Sequence, residues 1–224
     1  MNQAVVLLSG GMDSATLLHA ICRRRGMQRV CALSFDYGQK HSRELHMARW
    51  QARKAGVGEH RVIDCRFLGA LVAGGSALTD RAIPVPDLAE LAASQTDQPP
   101  TYVPNRNMIL LALSAAFAEA QGIADVYYGA HAQDRYGYWD CTPAFVARLN
   151  RALALNRRKP VRLHAPFSRM LKADIVRLGV RLGVDYGRTW SCYRGGRRPC
   201  GTCPTCVERA AAFRGARAVD PLAP

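Results

Sequence analysis

No apolar run in the 224 residues approaches the roughly 20 that a membrane-spanning helix needs. The residues ahead of the first glycines also lack the basic-then-apolar layout of a signal peptide, because Ala4-Val5-Val6-Leu7-Leu8 leads straight into Ser9-Gly10-Gly11. A cytoplasmic protein without a membrane partner is the expectation. Lysine is scarce: four residues (Lys40, Lys54, Lys159 and Lys172) stand against 27 arginines. With only 17 acidic residues the formal charge is +14, which raises the question of a nucleic-acid surface. Arginine is spread along the whole chain, however, and its densest clusters, Arg194-Gly195-Gly196-Arg197-Arg198 and Arg157-Arg158-Lys159, are short. A solvated basic face is the simpler reading, and direct nucleic-acid binding is not expected. There is no internal repeat and no low-complexity tract, which argues against a solenoid or a long disordered linker.

With 49% hydrophobic residues, the chain is long enough for one well-buried domain carrying a small appendage. Its most informative segment is Ser9-Gly10-Gly11-Met12-Asp13-Ser14. The apolar stretch before it reads as a buried parallel strand. Ala15 to Cys22, after it, places apolar residues at helical spacing. Strand, glycine pair and helix start together aim backbone N–H groups and the positive end of a helix at an anion. Gly10 and Gly11 allow a tight turn and a close approach to phosphate oxygens. Ser9 and Ser14 add hydroxyl donors, and Asp13 is placed to hold Mg²⁺ between phosphates. There is no Gly-Lys-Ser/Thr, so this is not a Walker A loop.

The rest of the chain alternates strands and helices. Strands are expected at 29–35, 61–64, 125–129 and 161–164, and helices near 42–55, 68–72, 107–121, 142–155 and 171–182. That order predicts an α/β fold, a doubly wound parallel sheet covered on both faces. Ligands of such sheets bind at the carboxyl ends of the strands, so segments 9–14, 36–39 and 129–134 should converge on one crevice. Residues 74–100 contain Pro84, Pro86, Pro99 and Pro100 and little periodicity, the mark of a functional loop or lid.

Of eight cysteines, Cys22, Cys31, Cys65 and Cys141 are scattered, whereas Cys192, Cys200, Cys203 and Cys206 fall within fifteen residues as C-x₇-C-x₂-C-x₂-C. Clustered thiols in a cytosolic chain read as a metal site rather than a disulfide framework. Gly201 and Pro204 suit the knuckles, and four thiolates about 2.3 Å from an ion close a tetrahedron with no open position, which suits structural Zn²⁺. A redox pair and an iron–sulfur cluster use the same residues and stay open on the spacing alone.

Four more segments add detail: Phe35-Asp36-Tyr37-Gly38-Gln39-Lys40-His41, Tyr102-Val103-Pro104-Asn105-Arg106-Asn107, Gly137-Tyr138-Trp139-Asp140-Cys141, and the stretch from Leu171-Lys172-Ala173-Asp174-Ile175 through Trp190-Ser191-Cys192-Tyr193. With the glycine turn and the four cysteines, they resemble the QueC family, the 7-cyano-7-deazaguanine synthases, in colinear order over at least residues 5–213. The resemblance implies an N-type, Rossmann-like ATP pyrophosphatase (PP-loop) domain at 1–185 and a small zinc-binding element at 186–224. It implies an AMP-forming carbon–nitrogen ligase that uses ATP with Mg²⁺ to convert 7-carboxy-7-deazaguanine and ammonia to the nitrile. A homodimer is implied as well.

On that resemblance Leu8, Ser9, Gly10, Gly11, Met12, Asp13, Ser14, Ala15 and Thr16, together with Asp36, bind ATP. Lys172 neutralises charge at the α-phosphate, and Arg106 offers a planar fork to the substrate carboxylate or to phosphate; with Asp13 they form the expected catalytic set. Asp134 and Asp140 are expected to accept hydrogen bonds from a guanine-like edge. Tyr102, Tyr138 or Trp139 would stack on the deazapurine, with Asn107 beside them. Three positions depart from the family pattern: Trp139 where proline is usual, Thr142 where arginine is common and Asn105 where glycine is common. Other readings stay open. One is a QueC-like paralog that joins a deazaguanine carboxylate to a protein amine in an antiviral defence system. Another is a tRNA-modifying PP-loop enzyme that transfers sulfur through cysteine. A non-catalytic zinc protein that binds nucleotide would leave the polar strand ends without a use.

Overall fold

The computed structural model describes residues 3–94, 98–133 and 137–223. Its centre is the first apolar run. β1 (Ala4–Leu7) lies between β2 (Val30–Asp36) and β4 (Asp125–Tyr127), with Val5 in register with Cys31 on one side and Val126 on the other. β3 (Glu59–Asp64) and β5 (Arg162–His164) complete a five-stranded parallel sheet of order β3-β2-β1-β4-β5. Strand alternation sends Val5, Cys31, Leu33, Val126 and Leu163 to one core and Ala4, Val6, Val30, Ala32 and Tyr127 to another. Because both faces are covered, the run has no polar alternation to show.

On the first face lie α3 (Arg66–Leu71), α5 (Arg106–Ala120) and α6 (Pro143–Leu153), and on the second α1 (Met12–Arg25), α2 (Arg43–Ala55) and α7 (Lys172–Arg181). This is the expected doubly wound α/β architecture. No helix among the described residues is long and apolar enough to cross a membrane. The chain runs outward from β1 to β3, then returns to add β4 on the other side of β1. That reversal leaves a crevice above the carboxyl ends of β1 and β4, the usual place for a ligand.

Two helices were not legible as helices. α4 (Leu88–Ser94) interrupts the proline-rich stretch, and α8 (Pro204–Ala216) follows the cysteines. α8 packs into a third core with Met12, Ala15, Val176 and Tyr186 through Ala212 and Phe213. It also buries Cys206 and Arg209, so polar and apolar residues share its inward side and no apolar stripe forms. Pro204 at the first helical turn behind the Cys203 cap was the available signal. Arg209 locks this helix in place: it makes two 2.8 Å bonds to the Asp220 carboxylate and reaches Thr189 Oγ1 and the Tyr186 carbonyl. Breaking a buried pair of this kind costs about 3–5 kcal/mol.

Gly10 has a different task from the one its motif suggests. Its φ is +91°, and a Cβ there would lie 2.0 Å from the Glu44 carbonyl oxygen and 2.8 Å from the Ala48 nitrogen. The missing side chain makes room for the backbone of α2 rather than for phosphate. Its carbonyl in turn accepts the Trp190 N–H at 3.0 Å. Gly26, at φ +86°, meets nothing within 4 Å. Gly26→Ala should therefore lose only the conformational term, about 1–3 kcal/mol for a positive-φ, extended-ψ backbone, whereas Gly10→Ala should lose more than about 4 kcal/mol. Urea unfolding checks this; equal losses would mean that α2 gives way at little cost.

Candidate active site

A cavity of about 420 Å³, within the range of small-molecule sites, opens where β1, β2 and β4 end. Its floor is the turn after β1. Ser9 folds back so that its N–H and Oγ meet Ser14 Oγ at 3.2 and 3.0 Å, while the Gly11 N–H donates to Ser9 Oγ at 3.3 Å. α1 begins at Met12, directly behind Gly11, with no side-chain cap. The first N–H groups of a helix have no intrahelical acceptor. Ser9, Gly11, Met12, Asp13 and Ser14 line the cavity here, so this end of the helix is open to an anion.

Beside this turn sits a charge cluster. Lys172, buried at the start of α7, donates to Glu208 Oε2 at 2.8 Å and lies 3.7 Å from Asp13 Oδ2. His131 Nε2 is 3.8 Å from the same oxygen. A cation at a helix N-terminus opposes the helix dipole, and the two acids offset that cost. Asp13 Oδ1 is buried with no hydrogen-bond partner among the described residues. Such an oxygen suits a cation brought with a ligand. Glu208 comes from α8, two residues past Cys206, so the cysteine element supplies a carboxylate to this corner.

The opposite wall is aromatic and charged. Asn105 holds φ +53° at the entrance of α5, a conformation that asparagine tolerates better than most residues. It delivers Arg106, whose guanidinium lies 5.6 Å from the Tyr37 ring centre and 3.5 Å from its hydroxyl, with Nε donating to Asn107 Oδ1 at 3.2 Å. Burial pushes the Tyr37 and Tyr193 phenols up, so both remain protonated donors. Glu44, in the first turn of α2, also lines this wall. Burial pushes its carboxyl up to about 7, against the opposing pull of the Arg106 charge.

The structure brings Leu8, Ser9, Gly11, Met12, Asp13, Ser14, Arg106, Asn107, Tyr138 and Lys172 to one cavity. Other candidates face elsewhere. Ala15 and Thr16 are fully buried on the far side of α1, and the Thr16 hydroxyl bonds the Met12 carbonyl and Tyr186. Asp36 accepts from the Gly38 N–H, and Tyr102 OH accepts from the Asn105 N–H and Trp139 Nε1. Asp140 is 2% exposed, and its two oxygens accept from the backbone and side chain of Asn107. It therefore braces the start of α5 instead of lining the cavity. Asp134 lies outside the described residues. Sequence reasoning gave no role to Glu44, His131 or Glu208. The first two sit in or beside segments that were singled out; Glu208 had no signal, because α8 itself was missed.

The four clustered cysteines offer sulfurs that all lie within 4.8 Å of one another. Cys200 and Cys206 are 3.9 Å apart, close to the roughly 3.8 Å edge of a tetrahedron built on 2.3 Å metal–sulfur bonds. The group can hold one metal ion. Trp190, Ala77 and Val85 seal it from the rest of the protein, and the Leu88 N–H bonds the Thr202 carbonyl, tying α4 to it.

A family model described as "Queuosine biosynthesis protein QueC" matches residues 3–217. A 7-cyano-7-deazaguanine synthase from Anaeromyxobacter sp. is 48% identical over 226 residues, spanning 98% of this chain and 95% of its own. Another, from Marinobacter nauticus, is 43% identical over 222 residues, spanning 99% and 97%. Among solved structures, an NMN synthetase from Francisella tularensis is similar with a TM-score of 0.53 at 14% identity, covering 96% of this chain and 84% of that one. That last likeness concerns the fold alone.

The Glu44 carboxyl has a consequence for stability. Its folded value near 7 lies above the ordinary 4.5, so its stabilising contribution is complete below about 4.5 and is lost as pH rises through 7. Above pH 7 the free protein carries a half-buried carboxylate to which no described residue donates. Glu44→Gln is expected to raise the melting temperature at pH 8 and to leave a smaller gain at pH 5. Thermal melts at the two pH values decide it; a gain independent of pH would refute the assignment.

Proposed function

The chain belongs to the QueC family, and we propose that it is a 7-cyano-7-deazaguanine synthase, an ATP-using carbon–nitrogen ligase. The observation that carries the reading is one cavity joining the open start of α1 to a wall of Arg106, Glu44 and phenols. A phosphate cradle and a polar aromatic pocket in contact suit attack by a ring-bound carboxylate on ATP.

The chemistry runs in two adenylations. The carboxylate of 7-carboxy-7-deazaguanine attacks the α-phosphate and expels pyrophosphate; ammonia then displaces AMP to leave a primary amide. The amide oxygen attacks the α-phosphate of a second ATP and expels its pyrophosphate, and loss of that AMP together with the two amide protons leaves the nitrile. No protein nucleophile is needed, so the residues act by positioning and charge. Ser9, Gly11 and Ser14 take the pyrophosphate end. The Lys172 ammonium faces the charge that grows as the α-phosphate is attacked. Asp13, with its unpartnered buried oxygen, would hold Mg²⁺, which screens the phosphates when bound. Cys192, Cys200, Cys203 and Cys206 would hold structural Zn²⁺. In this reading residues 1–185 form the ATP pyrophosphatase domain and 186–224 the metal element, which also lends Tyr193 and Glu208 to the cavity wall. Ammonia is the nitrogen donor, and the working form is a cytoplasmic homodimer.

Incubation with 7-carboxy-7-deazaguanine, ATP and ammonium is expected to release AMP and pyrophosphate and to give a product with the mass of the nitrile. A protein conjugate as the product, or no pyrophosphate release, would overturn the reading. Lys172→Met should lower kcat by about 100- to 1,000-fold, with the KM for the acid changed far less.

Metal analysis of the purified protein should find close to one zinc per chain. Chelation should release it and shift the fluorescence of Trp190, which packs on the cluster. Iron in place of zinc, or no metal, would sink that assignment.

A further inference from the structure

We propose that Glu44 and Arg106 together recognise the amine-and-lactam edge of the substrate ring. Glu44 accepts from the ring N–H and the exocyclic amine, and Arg106 donates to the ring carbonyl. This rests on the reading of the cavity as the site of a deazaguanine acid.

Its ground is a pair of charges that the fold brings together and leaves unused. Glu44 opens α2 and Arg106 opens α5, helices on opposite faces of the sheet. Both reach the cavity beside Tyr37, past the end of β2. The Arg106 charge is felt at Glu44, yet the two make no ion pair. Among the described residues, no donor reaches the Glu44 carboxylate. Among the described residues, Arg106 has Asn107 Oδ1 on Nε and the long 3.5 Å contact from Nη1 to Tyr37 OH, and none of them offers its Nη2 amine an acceptor.

Both side chains are half-buried in the cavity wall, and each keeps hydrogen-bonding capacity that no described residue takes up. A ligand that offers donors to one and an acceptor to the other satisfies both. A guanine-type ring does so along one edge, where a carbonyl, a ring N–H and an amine stand side by side. The phenols of Tyr37, Tyr138 and Tyr193 suit the faces of such a ring.

Of the other described acids near the site, Asp140 and Asp36 do not line the cavity, and Asp13 and Glu208 face Lys172 at the phosphate end. The sequence had placed Asp134 and Asp140 at this edge and given Arg106 a carboxylate or a phosphate. Geometry moves Arg106 to the ring itself.

Calorimetric titration with 7-carboxy-7-deazaguanine and with its analogue lacking the 2-amine tests the proposal. The wild-type protein is expected to prefer the amine-bearing acid by roughly 30- to 100-fold, the worth of a charged hydrogen bond. Glu44→Gln should reduce that ratio below about 5-fold with ATP binding retained. Arg106→Gln should weaken both ligands alike and keep the ratio, because both carry the carbonyl. A ratio that survives Glu44→Gln overturns the edge assignment while the functional reading stands. Failure of the wild type to bind the deazaguanine acid at all removes both.

Discussion

The position that cannot carry a side chain, Gly10, is the constraint on which the site depends. A Cβ there would occupy the backbone of α2, 2.0 Å from the Glu44 carbonyl oxygen. Without it, α2 lies directly against the turn that follows β1, and Glu44 reaches the cavity that the same turn floors. The Gly10 carbonyl also takes the Trp190 N–H, and Trp190 is the apolar lid of the cysteine cluster. One residue thus fixes three approaches: helix α1 behind it, α2 beside it and the cysteine element above it. The motif's glycine serves phosphate binding indirectly, by letting the walls of the pocket close to the right distance.

The cysteine element gains a second meaning from this packing. A knuckle of four thiolates could be a remote staple, but α8 starts inside it and carries Glu208 to Lys172 at 2.8 Å. Glu208 Oε2 at 2.8 Å and Asp13 Oδ2 at 3.7 Å hold the buried Lys172 side chain between them, at the start of α7 where the helix dipole opposes a cation. The bidentate Arg209–Asp220 pair next to Glu208 stiffens the helix at that turn. Metal, α8, Glu208 and Lys172 therefore form one mechanical chain. Shifting any link would move the ammonium relative to the phosphate turn.

Much of this was legible in the sequence because it follows from local rules. The run Ala4 to Leu8 could only be a strand covered on both faces, and glycines followed by helical spacing could only start a helix. The convergence of strand ends followed from parallel topology. What the sequence did not carry depended on side-chain direction. Thr16 sits in a phosphate motif, yet it is one turn too far along α1 and points at Tyr186. Asp140 has the chemistry of a base-reading acid, but Asn107 claims both of its oxygens. Glu44 looked like an ordinary first-turn acid; only the depth to which α2 is drawn in by Gly10 makes it part of the wall. α8 was hidden by its mixed inner side, and Glu208 with it.

The three departures from the family pattern have local explanations, and these bear on the choice between nitrile formation and conjugation to a protein. Asn105 stands where glycine is common, and its backbone is left-handed at φ +53°, a conformation open to both residues. Thr142 caps α6, its hydroxyl accepting the Phe145 N–H at 3.1 Å. Trp139 packs edge-on against Phe145 and donates to Tyr102 OH, outside the cavity lining. Each substitution solves a backbone or surface problem in its own loop, and none alters a residue that lines the cavity. A change of acceptor from ammonia to a protein amine would need a changed wall or a wider mouth at the reacting carbonyl. Differences confined to caps and turns do not supply one, so these three departures are compatible with the reaction for which the relatives are named.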